Sequence, residues 1–442
     1  MPPALPDSLA LLLSLLQPAF TRPTFDTFCW LVHGFIGRIG EHTITGVWQA
    51  ARLAGVLHHS RGHDFFARRR WSCDRLGLLL AEFVVARFLG PDEPLRVAVD
   101  DTVFPRSGAR VFGCGFHFDR DRTGGRLVRF GNLFVCLGLL VRLPALGQRS
   151  VCLPLLLRLW RPKESGSHRT KVELGYELVA LFAKRFEGRR IELVADGAYA
   201  NKALSELSEQ VRAVVRLRQN AVLWEPPPER DPQRRGRPPK KGARIGSPKE
   251  IAADPQTRWQ LLELRRAGAV EQAEVVVIDG LWYAAIGRCP VRVVLSRDPN
   301  RPERPLLVVL ATDTTWSAAQ ILERYLERWA IEVSFQEAKG GLGVGEARNR
   351  VEPAVARTVP FGFLCQTLTL VWYALNGDPR ADVERHRRRA PWYVQKHAPS
   401  FADMLATLRR ELIRAEFRAQ QLHERSRPKT PCLRSAPRAS LG

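Results

Sequence analysis

Two short apolar runs, Leu95-Arg-Val-Ala-Val99 and Ile191-Glu-Leu-Val-Ala195, each stop abruptly at an acid. Both read as short strands, and the interior strands of an α/β sheet are buried on both faces by covering helices. The first run ends in Asp100-Asp101-Thr102 and the second in Asp196-Gly197-Ala198-Tyr199. Such proteins place functional side chains at strand ends, because the strand fixes the backbone while the side chain faces open space.

The chain has 442 residues, enough for two to four structural units. Residues 1–90 read as helical, with apolar residues at helical spacing through Phe25–Ile39 and Leu76–Leu89. Basic residues cluster between them, from Arg61 to Arg70, and a helical DNA-binding unit and a helical cap on the next domain fit this region equally. His58, His59 and His63 lie close in sequence but have no cysteine or carboxylate at ligand spacing, so a metal site there is not expected. Residues 91–217 add strand runs at Leu133–Val141 and Val151–Leu159, a helix over Val172–Phe186, a helix over Lys202–Gln210 and a strand over Val211–Leu217. Three strands, a helix, a strand, a helix and a strand is the order expected of a ribonuclease-H-like core.

Residues 218–305 read as a β-rich insertion, with strand runs at Glu274–Ile278, Leu281–Ile286 and Val291–Leu295. A further run, Leu306–Leu310, follows it. The insertion carries a Pro/Arg-rich loop, 225–250, whose three consecutive prolines and charge density preclude a packed core. Within the loop Arg235-Gly-Arg237-Pro238 resembles the core of an AT-hook, which lays arginines into a narrow minor groove, and Lys240 and Lys241 follow. DNA contact by this loop is expected; AT-specific reading is not. Trp282 is a candidate to stack an unpaired or flipped base, although a tryptophan between Leu281 and Tyr283 is more often core.

Residues 306–376 contain the clearest helix, opened by the capping box Ser317-Ala-Ala-Gln320 and expected to stop at Gly340-Gly341. Tyr325, Arg328, Glu332 and Lys339 fall within about 60° of one another around such a helix. Leu322, Leu326, Trp329, Ala330 and Val333 form the adjoining apolar stripe. A helix so built packs one stripe on a sheet and presents a carboxylate flanked by two cations and a phenol. Glu332 alone reads as half of an ordinary pair with Arg328, and Asp101 or Asp196 alone as a cap or turn former. Together they offer three hard carboxylates for Mg²⁺ or Mn²⁺, and two such ions about 4 Å apart suit phosphodiester chemistry. Arg328 and Lys339 would hold phosphates, and Tyr325 would bond a phosphate or stack on a base. An apolar helix over Ala356–Leu375 follows, and residues 377–442 are basic, with a helix around Ala402–Gln420.

Val99-Asp-Asp-Thr102, Ala195-Asp-Gly-Ala-Tyr199 and Tyr325-Leu-Glu-Arg-Trp-Ala-Ile-Glu-Val-Ser-Phe-Gln-Glu-Ala-Lys339 resemble the DDE transposases of bacterial insertion sequences, in the subgroup with a Tyr-Arg-Glu-Lys signature. The resemblance spans about residues 20–376. It implies an α/β protein with a ribonuclease-H-like catalytic core, a catalytic and metal-binding triad of Asp101, Asp196 and Glu332, and two divalent metals. It also implies cut-and-paste transposition by a dimer acting on terminal inverted repeats and target DNA. Members usually carry the catalytic acid immediately before Thr, which favours Asp101 over Asp100; strand alternation leaves the choice open.

Lys+Arg number 68 against 45 Asp+Glu, a net charge of +23, which points to a polyanionic partner and argues against a small-metabolite enzyme. The eight cysteines form no CxxC pair and read as reduced thiols. Leu9–Leu16 lacks the preceding basic region of a signal peptide, and Leu133–Val141 is too short to cross a bilayer. With these features, the resemblance implies the bacterial cytoplasm, on the nucleoid, as the setting, with no membrane and no small-molecule cofactor. Two rivals remain: a metal-dependent nuclease on the same fold without strand transfer, and a non-catalytic DNA-binding protein derived from a transposase.

Overall fold

The computed structural model of the chain describes residues 4–426, apart from 109, 121–125, 148, 164–167, 230–236, 267–268 and 302. The N-terminal region forms five helices: α1 (Asp7–Ser14), α2 (Arg22–Gly37), α3 (Ile44–Ala50), α4 (Ser60–Ala67) and α5 (Cys73–Phe88). Then come β1 (Leu95–Pro105), β2 (Cys114–Arg120), β3 (Arg126–Arg142), β4 (Ser150–Leu159), α6 (Lys171–Arg185), β5 (Ile191–Ala195) and β6 (Val211–Arg216). The next stretch holds β7 (Leu223–Trp224), β8 (Arg244–Gly246), α7 (Pro248–Ala253), β9 (Gln260–Arg266), β10 (Ala269–Leu281), α8 (Tyr283–Ile286), β11 (Pro290–Arg297) and β12 (Leu307–Ala311). Five helices close the described chain: α9 (Ala318–Glu327), α10 (Trp329–Leu342), α11 (Glu352–Asn376), α12 (Pro379–Arg389) and α13 (Phe401–Ser426).

The described strands make one twelve-stranded, mostly antiparallel sheet. On one side of β1 lies β3, antiparallel, with β4 and β2 antiparallel to β3. On the other side lies β5, parallel, followed by β6, also parallel. Antiparallel β12 then joins β6, and β11 and β10 continue outward. The strands read from sequence as an insertion therefore extend the central sheet. This follows from pairing: β12 carries a free edge after docking on β6, β11 pairs along that edge, and β10 then pairs along the outer edge of β11.

Several elements differ from the sequence expectation. Four strands, not three, precede α6, because β2 forms from Cys114–Arg120, whose alternation of Phe116, His117 and Phe118 lacks a sustained apolar run. Lys202–Glu206 is a 3₁₀ turn and not a helix to Gln210; Asn201 caps it, and Leu207 is already extended. Leu281 ends β10, and Tyr283–Ile286 is a single helical turn. The capped helix is two pieces that break at Arg328, whose N–H bonds to the Tyr325 carbonyl three residues back. It runs through Gly340 and Gly341 and stops at Gly343, which takes the left-handed conformation (φ 57°) that glycine adopts without steric cost.

α11 is long and apolar enough to cross a bilayer, more so than Leu133–Val141, yet 89% of its apolar window is buried inside the protein. It packs on β4 and on α1, α2, α4, α5, α10 and α13. Thr367 donates to the Pro154 carbonyl of β4 at 2.8 Å. Arg357 donates to the Phe66, Arg69 and Trp71 carbonyls, so α11 also anchors the N-terminal helices.

Candidate active site

The parallel register of β1 and β5 pairs Val99 with Ala195, which sets Asp100 beside Asp196. Only Asp196 stands at a strand end, because β1 does not stop at the acids as its apolar run suggests but continues through Asp100 and Asp101 to Pro105, held by its antiparallel ladder with β3. Asp196 accepts a 2.8 Å bond from the Ala198 N–H and caps a short 3₁₀ turn through Tyr199. The turn-forming role foreseen for this acid is thus present, and it holds the carboxylate at the strand end.

Alternation along β1 sends neighbouring residues to opposite faces. Arg96, Asp100 and Phe104 face the α9–α10 side: Arg96 meets Glu327, Asp100 meets Arg328, and Lys339 lies over the Phe104 ring. Asp101 faces α6, where it accepts from Lys171 Nζ at 2.8 Å. The structure therefore brings Asp100, and not Asp101, to the face that carries Glu332. The link is a single guanidinium: Arg328 donates to Asp100 Oδ2 at 2.9 Å and to Glu332 Oε1 at 2.6 Å.

Two networks set the position of this helix pair. Glu192 of β5, fully buried, accepts from Arg96 at 3.2 Å and from Arg324 at 2.9 Å, and Arg96 also reaches Glu327 at 2.7 Å. β1, β5 and α9 are thereby clamped through two arginines on one carboxylate. On α10, Gln366 of α11 donates to the Ser334 carbonyl at 2.9 Å, two residues from Glu332. Buried polar groups matched in this way hold a unique register, because any slip leaves them unpaired.

Electrostatically the cluster carries more acid than it neutralises. Burial pushes the Asp100 carboxyl up to about 7; Arg328 opposes this, while the charges of Asp101 and Asp196 reinforce it. Tyr199 packs beneath, its ring against Gly175 of α6, where any Cβ would overlap the phenol. Its buried hydroxyl has no hydrogen-bond partner among the described residues. Burial first, then Asp101, Asp100 and Asp196, holds that phenol firmly protonated.

The other expected residues fall as follows. Tyr325 is buried, its ring 5.8 Å from the Arg328 guanidinium, so it offers no face to a base. Lys339 donates to the Val103 carbonyl at 2.8 Å. Trp282 is buried in the core at the end of β10, which corrects the stacking role considered for it: its indole is spent on packing. Arg235 lies outside the described residues; Arg237 and Lys240 are exposed. The Lys241 ammonium sits 3.1 Å from the Trp224 ring centroid. The His58, His59 and His63 rings pack on one another, with centroids 4.4 and 5.6 Å apart in sequence order. The seven described cysteines are free thiols, and Cys432 lies outside the described residues.

Lys171, Glu192 and Tyr199 were not singled out from the sequence. A glutamate inside the apolar run Ile191–Ala195 is a signal of a buried ion pair, and Tyr199 stands three residues after a strand-end acid. Lys171 follows Thr170, which caps α6 in a capping box with Glu173, but nothing in sequence ties that lysine to Asp101.

Residues 15–276 match the DDE superfamily endonuclease family, and the chain belongs to it. The matched region includes Asp100, Asp101 and Asp196 and ends before Glu332. A search of curated proteins finds no match. Enzymes of this superfamily are nucleases and transposases that act on nucleic acid and generally use divalent metal ions.

The cluster fits such ions by charge: four carboxylates share one guanidinium and one ammonium, one carboxyl is forced towards neutrality, and the buried Tyr199 hydroxyl has no hydrogen-bond partner among the described residues. Among the described residues no three acidic, His or Cys side chains already converge on one ion position, because Arg328 draws Glu332 and Asp100 to itself.

One consequence is a pH dependence on the same helix. Burial also pushes Glu337 up to about 7 from an ordinary value near 4.5, against the pull of Arg149. The folded chain thus binds this proton more tightly than the unfolded chain does. The contribution to stability is complete below about pH 4 and is lost as pH rises through about 7. Glu337→Gln is expected to raise the melting temperature at pH 8 and leave it nearly unchanged at pH 5. Equal shifts at both pH values would refute the burial cause.

Proposed function

We propose that this chain is a cut-and-paste DNA transposase of the Tyr-Arg-Glu-Lys subgroup, encoded by an insertion sequence. In this reading the five-strand order β4–β3–β1–β5–β6, with β4, β3 and β1 antiparallel in turn and β5 and β6 parallel to β1, is a ribonuclease-H-like core. Residues 218–305 are its insertion and the terminal regions its helical flanks. The observation that carries the reading is the Arg328 bridge, which ties an acid on the central strand to the acid of the signature helix.

Asp100, Asp196 and Glu332 would hold two Mg²⁺ or Mn²⁺ ions, with Asp101 outside the triad and paired to Lys171. Such ions activate an attacking oxygen and stabilise the leaving one. Arg328 orients Asp100 and Glu332 until DNA arrives, and its fork then suits a phosphate. Lys339 steadies β1 through Val103, and the buried Tyr199 excludes water beneath the acids. Exposed Arg237 and Lys240, with Arg235, would track the flanking phosphates. The partners are terminal inverted repeats and target DNA, bound by a dimer in the bacterial cytoplasm.

The test is cleavage of a labelled duplex carrying the DNA that borders the gene, with Mg²⁺ and with EDTA. Mg²⁺-dependent cutting and joined products are expected. Cutting without joining would reduce the proposal to a nuclease; tight binding without cutting would overturn it in favour of a DNA-binding protein.

A further inference from the structure

Ahead of α13 the chain exposes three consecutive large side chains: Trp392 is 71% exposed, Tyr393 56% and Val394 66%. An apolar cluster of this kind on a soluble surface marks an interaction site. Its setting is cationic. From Arg380 to His397 the sequence holds six Lys and Arg against two acids, and both acids are already paired, Asp382 with Arg410 and Glu384 with Arg388. The last turn of α12 is His386-Arg387-Arg388-Arg389.

The segment is shaped, not loose. Arg387 donates to the carbonyls of Val394 at 3.2 Å and Lys396 at 2.7 Å, which closes the loop onto the helix end. Lys396 and His386 both engage Asp403 of α13, at 2.7 and 3.0 Å. The buried Asp382 accepts from Tyr373 of α11 at 2.8 Å and from Thr407 of α13 at 2.8 Å, so the base of α12 is bolted to two long helices. These bonds fix the loop with Trp392, Tyr393 and Val394 facing solvent, Tyr393 resting edge-on against the His386 ring with centroids 5.6 Å apart.

The loop is also linked to the signature helix. Phe401, the first residue of α13, packs against Gly341 near the end of α10. Gly341 is nine residues from Glu332, about 14 Å along a helix axis. Duplex lying on the acid cluster would need only a few base pairs to pass from there to the far end of α10.

We infer that the Arg387–Lys396 loop is a second DNA contact flanking the reactive site, in which Trp392 and Tyr393 pack on bases or deoxyribose and Arg388 and Arg389 neutralise phosphates. Aromatic faces interleaved with cations are what a nucleic acid takes up and an acidic protein does not require. This rests on the DNA-processing reading above.

The experiment compares wild type, Trp392→Ala/Tyr393→Ala and Arg388→Ala/Arg389→Ala for affinity to a 40-base-pair border duplex over a NaCl series, with melting temperatures as a fold control. The aromatic variant should bind about 10-fold more weakly with an unchanged salt slope. The arginine variant should lose about 2 units of slope, near 0.9 for each phosphate contact. Trp392→Phe should restore much of the affinity lost by Trp392→Ala. Wild-type binding that neither double variant weakens would overturn the inference alone. A wild type that binds no duplex would overturn the DNA reading with it. Loss of binding to anionic vesicles with DNA affinity intact would assign the loop to a lipid surface and overturn it too.

Discussion

Glu332→Gln and Asp100→Asn are each expected to reduce Mg²⁺-dependent strand cleavage by about 10³-fold or more, the scale of losing a group that stabilises transition-state charge. Affinity for the border duplex should stay within about two-fold in both, since neither removes a cation. Asp101→Asn should behave differently. Its carboxylate lies on the α6 face of β1, 2.8 Å from Lys171, and the structure joins it to nothing on α10. That variant should retain cleavage within about 10-fold of wild type, the residual effect being the field it contributes at Asp100. Single-turnover cleavage of an end-labelled duplex separates the three. An inactive Asp101→Asn beside an active Asp100→Asn would return the first metal ligand to the acid preceding Thr102 and sink the face argument.

The capping box at Ser317, the acid-terminated strand β5 and the long helix α11 were legible because each depends on local rules: a side chain bonding a nearby backbone N–H, apolar runs, unbroken helical spacing. What escaped depends on pairing across the chain. Asp100 and Asp101 are adjacent acids, and only the docking of α6 on one face of β1 and α10 on the other gives them different neighbours. Residues 317–342 satisfy helical periodicity throughout, so the break at Arg328 left no mark in the sequence. Trp282 has the composition of either a stacking platform or a core residue, and burial between distant elements made it core. Within residues 218–305 only the apolar runs of β10 and β11 were visible; β7, β8 and β9 are short or polar and form through pairing, and β8 and the start of α7 fall in the stretch read as a loop. Continuity with the central sheet rests on the β12–β6 ladder between segments nearly a hundred residues apart.

Removing the bridge should change the protein before any DNA is present. Arg328 is 13% exposed and is the cation between Asp100 and Glu332. Breaking a buried pair by deleting one partner costs roughly 3–5 kcal/mol, and with Glu332 partly in solvent Arg328→Ala should cost about 2–3 kcal/mol at pH 8. The loss should shrink at pH 6. Arg328 holds the Asp100 carboxyl down against burial, so without it that group takes up a proton more readily and escapes the unpaired charge. Arg328→Lys should recover part of the loss, because an ammonium restores the charge but lacks the planar fork that reaches two carboxylates at once. Mg²⁺ should then raise the melting temperature of Arg328→Ala more than that of wild type, since no internal cation competes for Asp100 and Glu332. Thermal unfolding at pH 6 and pH 8, with and without Mg²⁺, decides the matter. Equal Mg²⁺ stabilisation of the two proteins would mean that Arg328 and the metal do not share these carboxylates.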